Sequence, residues 1–133
     1  MKTIPVSEAV VINIIQSLKP KNTAAYDGIS SKILKQCAHI ICKPLTYIYN
    51  CSLSTGIFPE RCKVAIVRPI YKKGGHKEMN NYRPISLLTT SSKILETIMF
   101  KRLVQHFESN NILTFAQFGF RKDVHIDDAV FTF

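Results

Sequence analysis

A chain of 133 residues with 46% apolar side chains has the length of one domain and enough hydrophobic surface for a modest core. Its 18 lysines and arginines against 9 aspartates and glutamates leave a net charge of +9, which favours contact with a polyanion, nucleic acid first; on charge alone, a basic surface that only keeps the protein soluble is an equal alternative. No stretch approaches the ~20 apolar residues of a membrane span, and the N-terminus lacks a signal-peptide layout, so neither insertion nor secretion is expected and the site of action is expected inside the cell, in cytoplasm or nucleus.

The elements follow in chain order. Val6, Val10, Val11, Ile14, Ile15 and Leu18 recur at helical spacing before Lys19-Pro20, which predicts an amphipathic helix over 6–18. A loop over 20–28 follows. From Ser30, the positions Ile33, Leu34, Cys37, Ile40, Ile41, Leu45, Ile48 and Tyr49 repeat at three and four, and Pro44 is expected to kink this helix or to open a second one. Gly56 supplies the stop. The pattern then shortens to Val64, Ile66, Val67, Ile70 and Tyr71, a polar stretch from Lys72 to Asn81, and a second extended run from Tyr82 to Leu88. This predicts a β-hairpin in which Pro69 and Pro84 each remove a ladder donor. A serine or threonine cap within Thr89 to Ser92 opens the next helix, with Ile94, Leu95, Ile98, Met99, Leu103 and Phe107 on its apolar stripe. Residues 109–122 read as loop, and 126–133 as the start of a further helix.

Cys37, Cys42, Cys51 and Cys62 show no Cys-x-x-Cys spacing, and the first three lie in the apolar helical stretch, so they read as reduced core thiols. A zinc set of Cys37, His39 and Cys42 matches no familiar module. The densest basic stretch holds Arg61, Lys63, Arg68, Lys72, Lys73, Lys77 and Arg83, with Glu78 the only acid between 61 and 83. On strands, positions an even number apart share a face, so such a hairpin can present several cations together to phosphate oxygens. The bland alternative is a solvated hairpin, with Arg83 paired to a carboxylate such as Glu96.

Asn81-Tyr82-Arg83-Pro84-Ile85-Ser86-Leu87-Leu88 and Gln117-Phe118-Gly119-Phe120-Arg121, one helix length apart, resemble the reverse transcriptases of non-LTR retrotransposons. So do Lys93-Ile94-Leu95-Glu96 with Lys101-Arg102-Leu103, Tyr26-Asp27-Gly28-Ile29, and Gly56-Ile57-Phe58-Pro59 leading to Val67-Arg68-Pro69-Ile70-Tyr71-Lys72-Lys73-Gly74. The resemblance covers nearly the whole chain. It implies an α+β fold, mostly helical with a small antiparallel hairpin, equivalent to the fingers and the start of the palm. Within a partial domain over 1–133, it implies a helical part at 6–60, the fingers hairpin at 61–88, and a helix with the Gln-Phe-Gly-Phe-Arg segment at 89–133.

In such a polymerase the hairpin folds over the incoming nucleotide. The resemblance then assigns triphosphate contacts to Arg83 and to Lys72 or Lys73, and the template and nucleotide pocket to Gln117, Phe118, Gly119 and Arg121. It implies an RNA template, a DNA primer, deoxynucleoside triphosphates and magnesium for the intact parent, with no cofactor for this chain alone. The palm's metal-binding aspartates are expected downstream of Phe133, so this chain alone is not expected to polymerise. Asp127-Asp128 is not that pair, because Ile126 precedes it and Ala129-Val130-Phe131 continues a helix, where neighbours point about 100° apart. Asp123, Asp127 and Asp128 instead suit a helix N-terminus.

The chain departs from the family after Arg121, where Asp123 and His125-Ile126 replace the usual glycine and serine-threonine pair, and before Asp27, where Ala24-Ala25-Tyr26 stands. No Gly-x-Ser-x-Gly motif supports a hydrolase. The rival readings are a non-catalytic nucleic-acid-binding module and a non-functional element remnant.

Overall fold

Glu8–Ser17 forms α1, Ser31–Gln36 α2, Ala38–Thr55 α3, Ala65–Tyr71 β1, Tyr82–Leu88 β2 and Thr90–Ser109 α4, with short 3-10 turns at Glu60–Cys62 and Met79–Asn81. The architecture is that of a computed structural model, which describes residues 4–114, 117–119, 125, 127 and 130. Two compact units, Met1–Ile98 and Met99–Phe133, divide the chain, the boundary falling within α4. The fold is α+β, mostly helical with one two-stranded antiparallel sheet.

The core of the first unit is built on α1 and α3. Val11, Ile14 and Ile15 of α1 are buried, and so are Ala38, Cys42, Thr46, Tyr49 and Leu53 of α3, a line that advances by three and four residues along one side of that helix. Ile40, two residues and about 200° around from Ala38, is 79% exposed. Ile33 and Ile48 of the same apolar repeat are exposed as well, because the repeat wraps further around the helices than the packing reaches. Asn50 ties the chain's start to α3 by a reciprocal pair, accepting from the Val6 amide at 2.7 Å and donating to the Val6 carbonyl at 3.0 Å.

Pro44 does not open a second helix. The break lies seven residues earlier at Cys37, which ends α2 and caps α3 at φ −93° and ψ 6°, while Pro44 sits inside α3. Pro44 is on the exposed side, so the carbonyl of Ile40 that loses its helical donor faces water. At the other end Gly56 stops α3 as expected, taking φ 71° and returning its amide to the Ser52 carbonyl at 3.0 Å.

Thr89 caps α4, its hydroxyl oxygen accepting from the Ser92 amide at 3.1 Å. Ile94, Leu95 and Ile98 of that helix are buried. The Tyr49 hydroxyl joins α3 to the start of α4, lying 3.0 Å from the Ser91 carbonyl and 3.1 Å from the Ser91 hydroxyl. The Thr90 hydroxyl donates to the Ile29 carbonyl at 3.2 Å, which anchors the Asp27-Gly28 turn. In that turn Gly28 takes φ 69° and the Asp27 carboxylate accepts from the Ile29 amide.

The hairpin pairs Ala65 with Leu88 through to Tyr71 with Tyr82. The Lys72 amide donates to the Asn81 carbonyl at 2.8 Å, which carries the ladder one step further and sets its phase. Ile66–Leu87, Arg68–Ile85 and Ile70–Arg83 are therefore the hydrogen-bonded pairs, and Pro69–Pro84 falls on a non-bonded pair, where an amide points away from the partner strand. The two prolines thus remove no inter-strand donor, contrary to the expectation from sequence. In the connection, Gly74 takes φ 96°, and a Cβ there would lie 2.6–2.9 Å from the Asn81 side chain. That side chain bridges the loop, donating to the Gly75 carbonyl at 2.8 Å and to the Glu78 carboxylate at 3.1 Å.

Two outcomes follow for stability. Burial pushes the Tyr49 hydroxyl from 10.0 up to about 12, against the lowering pull of its Ser91 bond. A group raised on folding contributes fully below its unfolded value, so Tyr49 stabilises the fold below pH 10 and that contribution is lost as pH rises from 10 to about 12. Urea titrations should show a loss on the order of 2 kcal/mol across that window, and Tyr49→Phe should remove the pH dependence while costing about 1 kcal/mol at neutral pH. Gly74→Ala should speed amide exchange at Lys72 roughly fivefold or more, since it displaces Asn81 and strains φ. Gly75→Ala, with nothing nearer than Glu78 at 4.0 Å, should leave that rate unchanged.

Candidate functional site

The phase of the ladder divides the hairpin into two chemically different faces. Ala65, Val67, Pro69 and Tyr71 with Tyr82, Pro84, Ser86 and Leu88 form one face, and Ile66, Arg68 and Ile70 with Arg83, Ile85 and Leu87 form the other. Ala65, Ile66, Leu87 and Leu88, at the base, are half-buried, whereas the part toward the connection is largely exposed.

The connection folds back over the first face. The His76 ring stacks on Tyr71 with centroids 4.1 Å apart and planes 22° from parallel, and Tyr71 meets Tyr82 edge-on at 5.7 Å. The Tyr82 hydroxyl donates to the His76 carbonyl at 2.9 Å, and the Tyr71 hydroxyl donates to the Gly74 carbonyl. An open hollow of about 420 Å³ remains there, lined by the paired prolines, Tyr82, Met79 and His76.

The second face carries the cations. Arg83 stands opposite Ile70, and Arg68 opposite Ile85. Lys72, at the step added by its bond to Asn81, continues the same even-numbered series, while Lys73 falls in the turn beyond it. No acidic residue shares this face, and among the described residues Arg68, Lys72, Lys73, Lys77 and Arg83 make no side-chain ion pair. The ion pair seen there joins Lys63 to Glu60, and the Glu96 carboxylate takes the Ser92 hydroxyl at 2.9 Å rather than Arg83. Guanidinium and ammonium groups left without counter-ions on an exposed ribbon are suited to phosphate oxygens, an arginine offering two parallel donors.

The other candidates are placed as follows. Gln117, Phe118 and Gly119 belong to the second unit, where the Gln117 amide donates to the Thr114 carbonyl at 3.2 Å and the Gln117 side chain to the Gly119 carbonyl at 3.5 Å. Phe118 is half-buried, and a Cβ on Gly119 would meet nothing within 4 Å. Arg121, Phe120, Asp123 and Asp128 lie outside the described residues, whereas Asp127 and Val130 are helical.

Among the described residues no group of three His, Cys, Asp or Glu side chains is placed to hold a metal ion, so neither the Cys37–His39–Cys42 set nor a carboxylate set for magnesium is formed there. The Cys42 thiol instead donates to the His39 carbonyl at 3.2 Å. Cys42 alone of the four cysteines is a core thiol, since Cys37 and Cys62 are half-buried and Cys51 is exposed. No described helix is long and apolar enough to cross a membrane.

Two features of the hairpin escape a linear reading. Arg68 joins the face of Arg83, and the Tyr71–His76–Tyr82 cluster closes the opposite one. Even spacing from Arg68 to Lys72 was the available signal on β1. Its relation to β2 needed the register, which no residue type in the loop announces.

Comparison with known proteins bears on this site as a whole, because the matches run through both strands and the connection. No family profile matches the sequence. The chain is 34% identical over 119 residues to a probable RNA-directed DNA polymerase from transposon BS of Drosophila melanogaster, covering 89% of the chain. It is 30% identical over 122 residues, 91% of the chain, to the corresponding probable polymerase from transposon X-element of the same species. It is also 30% identical over 118 residues to the RNA-directed DNA polymerase from mobile element jockey of Drosophila funebris. The chain spans 13% of the length of each of these relatives. By sequence it belongs to the RNA-directed DNA polymerases of non-LTR retrotransposons, of which it represents one segment.

Proposed function

We propose that this segment is the fingers and the start of the palm of a retroelement reverse transcriptase, acting inside the cell on an RNA template, a DNA primer and deoxynucleoside triphosphates. The observation that carries the reading is the hairpin face on which Arg83 and Lys72 stand together with no acidic neighbour. Arg83 holds two phosphate oxygens of the incoming triphosphate through its planar fork, and Lys72 adds a point charge one diagonal step away. Gln117, Phe118, Gly119 and Arg121 line the template and nucleotide pocket. The likeness to RNA-directed DNA polymerases and the net charge of +9 support this assignment.

The described residues supply no carboxylate set for magnesium, so the chemical step is assigned to other parts of the parent polymerase and this segment's work is binding and orientation. Removing Arg83 or Lys72 then weakens the grip on phosphate without touching the reacting carboxylates.

Calorimetric titration of the 133-residue chain with a deoxynucleoside triphosphate tests the assignment. Arg83→Ala should weaken binding about tenfold, and Lys72→Ala should weaken it more than Lys73→Ala. Unchanged affinity in Arg83→Ala would remove the triphosphate from this face.

A further inference from the structure

Arg68 is the cation on this face that the triphosphate assignment leaves unused. We infer that Arg68 grips a backbone phosphate of the nucleic-acid strand lying beside the nucleotide, which extends the hairpin's anion site from a triphosphate to a phosphodiester chain. The inference rests on reading this face as phosphate-binding.

Its basis is register and span. Arg83 lies level with Ile70, so Arg68 on β1 and Lys72 one residue past its end flank it at diagonal positions, each roughly 7–8 Å away at the backbone. Lys72 lies four positions beyond Arg68, a distance of about 13 Å along an extended strand. A triphosphate, its phosphorus atoms joined through only two bridging oxygens, is shorter than that file of cations. A strand with one phosphate per nucleotide can supply a separate anion to each.

Electrostatics points the same way. Like charges at neighbouring cross-strand positions destabilise a ribbon, and no carboxylate on this face offsets them. An acid at Ile66, Ile70, Ile85 or Leu87 would have relieved the repulsion, yet all four positions are aliphatic. The connection folds over the opposite face, held there by the Tyr71–His76 stack and the Tyr82 hydroxyl. The cation face is exposed from Arg68 and Ile85 out to Lys72, while Ile66 and Leu87 at its base are half-buried. A polyanion laid along it removes the repulsion and releases its own condensed counter-ions.

Fluorescence anisotropy with a mixed-sequence single-stranded oligoribonucleotide, repeated across a salt series, tests this together with titration of inorganic tripolyphosphate. Arg68→Gln keeps an uncharged stem of similar length, Arg68→Lys restores the charge, and Lys32→Ala removes one charge from α2 as a control. Arg68→Gln should lower RNA affinity roughly fivefold at low salt. It should also reduce the slope of log affinity against log salt by about 0.7, the share of one phosphate contact on a single strand. Tripolyphosphate affinity should be unchanged in Arg68→Gln, Arg68→Lys should recover the slope, and Lys32→Ala should keep it. An unchanged slope in Arg68→Gln, or an equal loss of tripolyphosphate affinity, overturns the inference. Full tripolyphosphate binding by Arg83→Ala sinks the triphosphate assignment instead, while the RNA slope of Arg68→Gln still decides the role of Arg68.

Discussion

The phase of one short β-ladder governs this molecule's chemistry. Pro69 and Pro84 face each other, and they are compatible with continuous pairing because they sit where neither strand needs an amide from the other. Slipping the register by one residue would bring one of the two prolines onto a pair that requires its missing donor. It would also move every side chain of one strand to the other face. From that single phase come the separation of cations from rings, the grouping of Arg68, Lys72 and Arg83, and the side on which the connection lies.

Around the hairpin the structure supplies rigidity rather than chemistry. The base strand residues Ala65, Ile66, Leu87 and Leu88 are half-buried, and β2 runs directly into the Thr89 cap of α4. The Tyr49 hydroxyl then fixes the first turn of α4 against α3, whose own position is set by packing on α1. The cations are thus held by a strand pair whose root is tied to the helical core, although their side chains stand in solvent. Self-repulsion on that face costs some stability in the free chain, which a polyanion laid along it would offset.

The extent to which this was legible in the sequence varied with the physics of each element. Helix α1 announced itself through Val11, Ile14 and Ile15, because one buried stripe of period 3.6 has no close competitor. The hairpin was visible in its β-branched runs and the polar stretch between them, and Gly56 marked the stop of α3 through a conformation few other residues adopt. The break at Cys37 was not visible, since nothing in the residue types there competes with the stronger but misleading signal of Pro44. Cys51 looked like a core thiol because its neighbours are apolar, yet it lies on the exposed side of α3. At the site, Arg83 was readable from the resemblance alone. That Lys72 and Arg68 share the face of Arg83, while Lys73 falls beyond it, required knowing which residues pair, and pairing depends on the whole hairpin rather than on any local run.

The same ladder makes the hairpin an arithmetic object that counts in twos. Replacing one side chain alters one contact, but inserting or deleting one codon between Ile66 and Lys72 changes the parity of everything beyond it. For a change ahead of Arg68, Arg68 and Lys72 would turn under the connecting loop, Tyr71 would turn outward, and Pro69 would no longer meet Pro84. Length change by a single residue is therefore far more damaging to this element than substitution, and a change by two preserves which face each remaining side chain occupies.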